Sequence, residues 1–146
     1  MHLSSKGEYG IRAMLELTQR QGQGFVQSSE IAQQRQIPEN YLYQLLITLR
    51  KAGLVRSRRG PQGGHMLSRP AEDISLAEIV IALEGPIEPT VCIQEGVVVD
   101  CPFRDRCALR PVWEEIAETT HGILESTSLD YLARREAEMS VKRGDA

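Results

Sequence analysis

The stretch Ile37–Arg69, IPENYLYQLLITLRKAGLVRSRRGPQGGHMLSR, decides how the rest of this 146-residue chain is to be read. Pro38 stands where a helix opens at least cost, because its missing N–H falls among donors the first turn leaves unpaired anyway. Leu42, Leu45, Leu46 and Leu49 then recur at helical spacing and make one apolar stripe. Gly53 follows in the C′ position, where a left-handed residue ends a helix. Leu54–Arg58 and His65–Arg69 read as two short strands around Arg59–Gly64, whose glycines and proline make a turn.

Working backwards, Gln36 and Ile37 form a turn. A short helix carrying Ile31 and Ala32 precedes it, capped by Ser28 or Ser29. Residues 4–20 form the first helix, with Ile11, Ala13, Met14, Leu15 and Leu17 on its apolar face and Ser5 and Glu8 at the spacing of a capping box. Two helices across a short turn, followed by a hairpin, describe a winged helix-turn-helix. In that geometry the second helix enters the DNA major groove by its N-terminal residues. The exposed candidates there are Glu39, Asn40, Tyr43 and Gln44. Asn and Gln pair bidentately with adenine, and Glu accepts from cytosine. Tyr41 is either core or a phosphate contact. Arg56, Arg58 and Arg59 lead into the tip, where a thin basic loop suits the minor groove. Ser28, Arg50, Gly60 and Gln62 complete the candidate DNA-contacting set, and His65 reads as an ordinary exposed wing residue. Charge agrees. Residues 1–70 carry ten Lys and Arg against four Asp and Glu, net +6, although the whole chain is −3. A basic half on an acidic protein marks a localised anion-binding face. A solvated helix face and a plain surface hairpin are the alternatives.

Working forwards, Pro70–Asp73 links to a fourth helix. Ser75 and Glu78 repeat the capping-box spacing there, and Ile74 and Ile79 are placed as a hydrophobic staple. Gly85 and Pro86 end it. All three cysteines then fall in Cys92–Cys107, CIQEGVVVDCPFRDRC, at Cys92, Cys101 and Cys107. An odd count in one loop argues against a closed disulfide framework. Thiolates so placed can converge on one metal centre, either an iron–sulfur cluster or zinc. A long helix from Ala108 to Glu125 places Leu109, Val112, Trp113, Ile116, Thr120, Ile123 and Leu124 at helical spacing. So wide an apolar face outside the winged unit needs a partner, and a two-fold homodimer is the default. Thr127–Leu132 is a short extra helix, and the charged tail frays. The expected division is 1–85 winged helix-turn-helix, 86–108 cysteine-bearing loop, 109–135 dimerisation helix and 136–146 tail. No apolar run suits a signal peptide or a membrane span, which implies a cytoplasmic protein with reduced thiols. No CxxC motif, nucleotide-binding glycine pattern or Ser/His/Asp constellation supports an enzyme.

The segments LSSKGEYGIRAM, IPENYLYQLLITLRKAGLV, RGPQGGHML and ISLAEIVIALEG, with three cysteines leading into CALRPVW, resemble the Rrf-two family of bacterial winged-helix regulators, the IscR- and NsrR-like group. The resemblance spans roughly residues 1–135. It implies a mainly α winged helix-turn-helix protein with a long C-terminal dimerisation helix, acting as a homodimer on a palindromic double-stranded operator. It also implies an iron–sulfur cluster on Cys92, Cys101 and Cys107, two-iron favoured and four-iron possible, whose state alters DNA affinity or sequence choice. One departure stands out. Some relatives follow the third cysteine with a ligating histidine, and here that position is Arg110. His121 reads as an ordinary helical histidine. The resemblance offers Glu8 instead, an N-terminal-helix carboxylate that reaches the partner's cluster. A cluster-free thiol redox sensor and a zinc-binding regulator remain as alternatives.

Overall fold

The computed structural model describes residues 2–144. Its elements run α1 (Ser5–Gln19), α2 (Ser28–Arg35), α3 (Glu39–Lys51), β1 (Val55–Arg58), β2 (Gly64–Leu67), α4 (Leu76–Glu84), α5 (Arg110–Glu125) and α6 (Leu129–Lys142). This is the mainly α winged helix-turn-helix architecture the sequence implies. Helices α1, α2, α3 and α4 close around one core, with Met14, Leu17, Ile31, Leu42, Leu45 and Ile79 among its buried members. The leucine stripe of α3 is buried throughout, so its polar positions are left facing out.

The turn between α2 and α3 is sharp because Gln36 takes a left-handed conformation, φ 53°, and Ile37 is buried beneath it. Pro38 is the N-cap of α3 rather than its first helical residue. Gly53, φ +78°, ends the helix in the expected C′ place. The wing pairs Val55 with Leu67, Arg56 with Met66, Ser57 with His65 and Arg58 with Gly64. The segment before α2 adds a third, single-residue rung. Val26 and His65 exchange both backbone hydrogen bonds at 2.8 Å. Gly64 is required there, since a Cβ would meet the Val26 carbonyl oxygen at 2.4 Å and its φ is +143°.

Helix caps follow the expectation in one case and depart from it in two. Ser75 and Glu78 form a reciprocal capping box at α4, and Ile74 and Ile79 are both fully buried beside it. The Ser5–Glu8 box does not form. Ser4 is the N-cap of α1, and the carboxylate that accepts from its backbone and from Gly7, each at 3.0 Å, is Glu84 at the end of α4. Those bonds hold the Glu84 carboxyl below its ordinary pKa, the Ser4 hydroxyl contributing most. Neither Ser28 nor Ser29 caps α2; Gln27 occupies the N-cap and its side chain makes no capping bond.

The C-terminal part differs most. The expected short helix and frayed tail are one helix, α6, continuous to Lys142, with Ser128 capping it through the Tyr131 N–H. Residues 145–146 of that expected tail lie outside the described residues. Leu129 is fully buried in the winged core, so that core continues past residue 85. The link from α5 to α6 is stitched to the start of α4: Leu76 donates to the Thr127 carbonyl at 2.8 Å, and Leu129 donates to that of Ile74 at 2.9 Å. Arg35 of α2 completes the docking. Its guanidinium meets the nearly buried Glu16 of α1 at 2.9 Å and both carboxylate oxygens of Glu136 of α6, at 2.5 and 3.0 Å. Burial works against the Arg35 charge, but the hydrogen bonds to Glu136 and Glu16 outweigh it and raise its pKa. Among the described residues no helix is long and apolar enough to cross a membrane.

Candidate nucleic-acid interface and thiol pocket

The first turns of α3 carry Glu39, Asn40, Tyr43 and Gln44 on the surface, as leucine burial on the opposite face demands. Tyr41 is only partly free. Its ring stands edge-on to Tyr9, centroids 5.7 Å apart, while the Arg12 guanidinium lies 5.4 Å from the Tyr9 ring. Ser28 opens α2 and is half-buried.

A groove runs between α3 and the wing. Tyr43 and Arg50 line it from α3, and Ser57, Arg58, Arg59 and His65 from the hairpin. Arg58 is steadied by the Phe25 ring, 5.7 Å from its guanidinium carbon. Gly60 and Gln62 are exposed at the tip, which Gln27 fastens by donating to the Pro61 carbonyl at 3.2 Å. Arg56 is set apart from this group. It lines the hairpin's other side, with Arg20, Gln21 and Arg69. Ser57 and His65 also line the groove, outside the DNA-contacting set expected from the sequence. The only sequence signal for them is the hairpin register, which pairs them across the two strands.

The second candidate site lies in the loop between α4 and α5. Cys92, Cys101 and Cys107, each half-buried and each a free thiol, line one pocket with Arg104 and Arg110. Short 3₁₀ turns at Val91–Ile93 and Arg104–Arg106 bring the loop round. The Thr90 hydroxyl lies 3.6 Å from the Cys92 sulfur, within hydrogen-bonding reach. About 90 Å³ of space is available; one water needs roughly 10–15 Å³ by the same measure, so a handful of heavy atoms fits and a nucleotide does not. Three soft sulfur donors suit a compact, thiophilic metal centre and two arginines suit the negative charge its thiolates bring, and in that chemical sense the residues fit an iron–sulfur cluster. Among the described residues, no three thiol, imidazole or carboxylate groups stand close enough together to hold a single metal ion. Arg110 has no lone pair to offer and donates to Glu114 at 2.8 Å. Glu8 is exposed on α1 and is not among the residues lining its own chain's pocket. His121 lies well along α5, 3.3 Å from Glu125.

Residues 3–135 match the Rrf2 family, described as Iron-dependent Transcriptional regulator. The chain belongs to the Rrf2 family. It is 36% identical over 142 residues to the HTH-type transcriptional regulator IscR of Photorhabdus laumondii, covering 97% of this chain and 84% of that one. Among solved structures it is similar to CymR, the global cysteine regulator of B. subtilis, with TM-score 0.75 and 36% identity over 92% of this chain and 98% of that one. It is also similar to T. potens IscR, with TM-score 0.73 and 32% identity over 95% and 90% of the two chains. This Rrf2 protein is therefore a transcriptional regulator, and its winged helix-turn-helix is the family's.

Proposed function

We propose that this Rrf2 regulator binds a palindromic operator as a homodimer and reads an iron–sulfur cluster held by Cys92, Cys101 and Cys107. The observation that carries the reading is that the chain's only three cysteines, spread over sixteen residues, line one pocket with two arginines. The family's description as iron-dependent supports iron as the metal. Such a cluster supplies a centre that loses or gains electrons and is open to attack by oxygen or nitric oxide. The chain's own part is to furnish three thiolates, to balance their charge with Arg104 and Arg110, and to carry the consequence to α5, whose first helical residue is Arg110.

The fourth position goes to Glu8, supplied by the partner across the dimer. Glu8 is exposed and free of the capping bond that would otherwise occupy it, since Glu84 caps α1 in its place. An oxygen donor binds iron less softly than thiolate, which makes this corner the exchangeable one. Asn40 and Gln44, with Glu39 and Tyr43, read bases in the major groove. Arg50, Arg58, Arg59, Gly60 and Gln62 hold backbone phosphates from the wing side, with Ser28 and Tyr41 at the margin.

A cluster-free thiol sensor is the second reading. It is favoured by the structural likeness to a global cysteine regulator and by the missing fourth cysteine. The visible absorption spectrum of protein purified without oxygen, with iron and sulfide assayed on the same sample, separates the two. Sulfur-to-iron charge-transfer bands that vanish in Cys101→Ala support the cluster. A colourless protein with no iron or sulfide moves the assignment to bare thiols.

A further inference from the structure

Resting on the DNA-binding reading, we propose that His65 is itself a DNA-phosphate ligand, seated with Arg50 and Ser57 in the groove between α3 and the wing, and that duplex binding takes up a proton on its imidazole. His65 is fixed at the backbone on both sides. It pairs with Ser57 across the hairpin and exchanges two hydrogen bonds with Val26. The ring is anchored as well: Nδ1 lies 2.7 Å from the Ser57 hydroxyl. That bond forms in either charge state, because the hydroxyl donates to a neutral ring or accepts from an imidazolium. Nε2 is the second ring nitrogen, and the groove beside it is lined by Tyr43, Arg50, Arg58 and Arg59 and by no acidic group. Phe25, Val26 and Gln27, the segment packed against β2, contribute no titratable side chain. A cationic cleft of this kind, between a recognition helix and its wing, takes an oxyanion, and on a duplex that oxyanion is a backbone phosphate.

The same surroundings act against a charged imidazole in the free protein. Burial holds the His65 pKa below its ordinary value, and the Arg50 guanidinium adds to the depression. A phosphate entering the groove reverses the second effect. It screens the arginines and sets a negative charge against the ring, which favours the imidazolium. The bound pKa then exceeds the free one. Affinity is greatest below the free value, falls as pH rises through the window between the two, and is level above the bound value.

The test is fluorescence anisotropy of a labelled duplex selected by the wild-type chain from a random-sequence pool, titrated at fixed salt from about pH 8 to about pH 5.5, where histidine changes charge. Affinity should rise on acidification by up to about tenfold per pH unit within the window, the limit for uptake of one proton. The salt dependence should steepen by roughly 0.9 in log–log slope at the acid end, as one more phosphate is neutralised. His65→Gln, which keeps a polar side chain without the titration, should flatten both responses. The His65 ring resonance followed by NMR should titrate at higher pH in the complex than in the free protein. Equal pH profiles for wild type and His65→Gln, or a ring titration that DNA does not move, overturn the inference and leave the DNA-binding reading standing. A wild-type chain that binds no duplex at any pH overturns both.

Discussion

Arg59, at the wing, and Asn40, on α3, should fail in different ways when truncated. Arg59 sits at the turn of the hairpin and lines the groove between α3 and the wing, where its guanidinium is proposed to hold a backbone phosphate. Arg59→Ala should weaken binding to all duplexes alike and reduce the salt slope by about 0.9, with the oligomeric state unchanged, as a lost phosphate contact does. Asn40 lies in the first turn of α3, so Asn40→Ala should relax preference at one base pair by roughly 1–3 kcal/mol, read by competition between duplexes differing at that pair. Uniform losses from both variants would place Asn40 on the backbone instead. At this scale the sequence showed the groups that carry their own signal: three clustered cysteines, arginines at a glycine turn, polar residues opposite a leucine stripe. It did not show Glu84 capping α1, because its partner Ser4 lies eighty residues away and nothing local marks the pair. Nor did it show Arg56 facing away from the wing groove, which depends on how the strand twists once it is packed.

Helix α5 and its N-cap Leu109 present Leu109, Val112, Ile116 and Ile123 to solvent on one face, and this is the proposed dimer contact. Ile116 is exposed and is not a member of the core, so Ile116→Asp tests the interface without opening the core. The variant should sediment as a monomer with its helical circular dichroism retained, and a dimer of wild-type stability would move the contact elsewhere. Helix α6 carries a different role. It fastens α2, the first helix of the helix-turn-helix, to the C-terminal region through Arg35 and Glu136. Arg35→Leu strands the buried Glu16 carboxylate with only Arg20 for a partner and should cost about 3 kcal/mol in chemical denaturation. Glu136→Gln should cost far less, because Glu136 is partly exposed and its amide can still accept. The existence of α1 to α5 was legible from periodicity and stop signals. The extent of α6 was not, since half of LDYLARREAEMSVK is polar and its place in the fold rests on Leu129 entering the core and on an ion pair across a hundred residues.

The whole molecule joins two charge regimes, a basic first half holding the proposed DNA site and an acidic second half holding the thiol pocket and α5. Between them runs a continuous path: the thiol loop leads directly into α5, the α5–α6 link is hydrogen-bonded to α4, and α6 is salt-bridged to α2. In the proposed dimer, a change at the thiols that shifts α5 would bear on the spacing of the two recognition helices, which most such proteins set near one DNA turn. Coupling of this kind is reciprocal, so DNA binding should also alter the reactivity of the pocket. If the thiol pocket governs DNA binding, paired binding isotherms will show it. Wild-type and Cys92→Ala proteins, both purified without oxygen, are titrated onto the same duplex selected by the wild-type chain. Both proteins should be dimers, with isotherms displaced by at least fivefold in affinity, the lower end of ordinary allosteric coupling at about 1 kcal/mol. Superimposable isotherms, with folding and dimerisation intact, would contradict it.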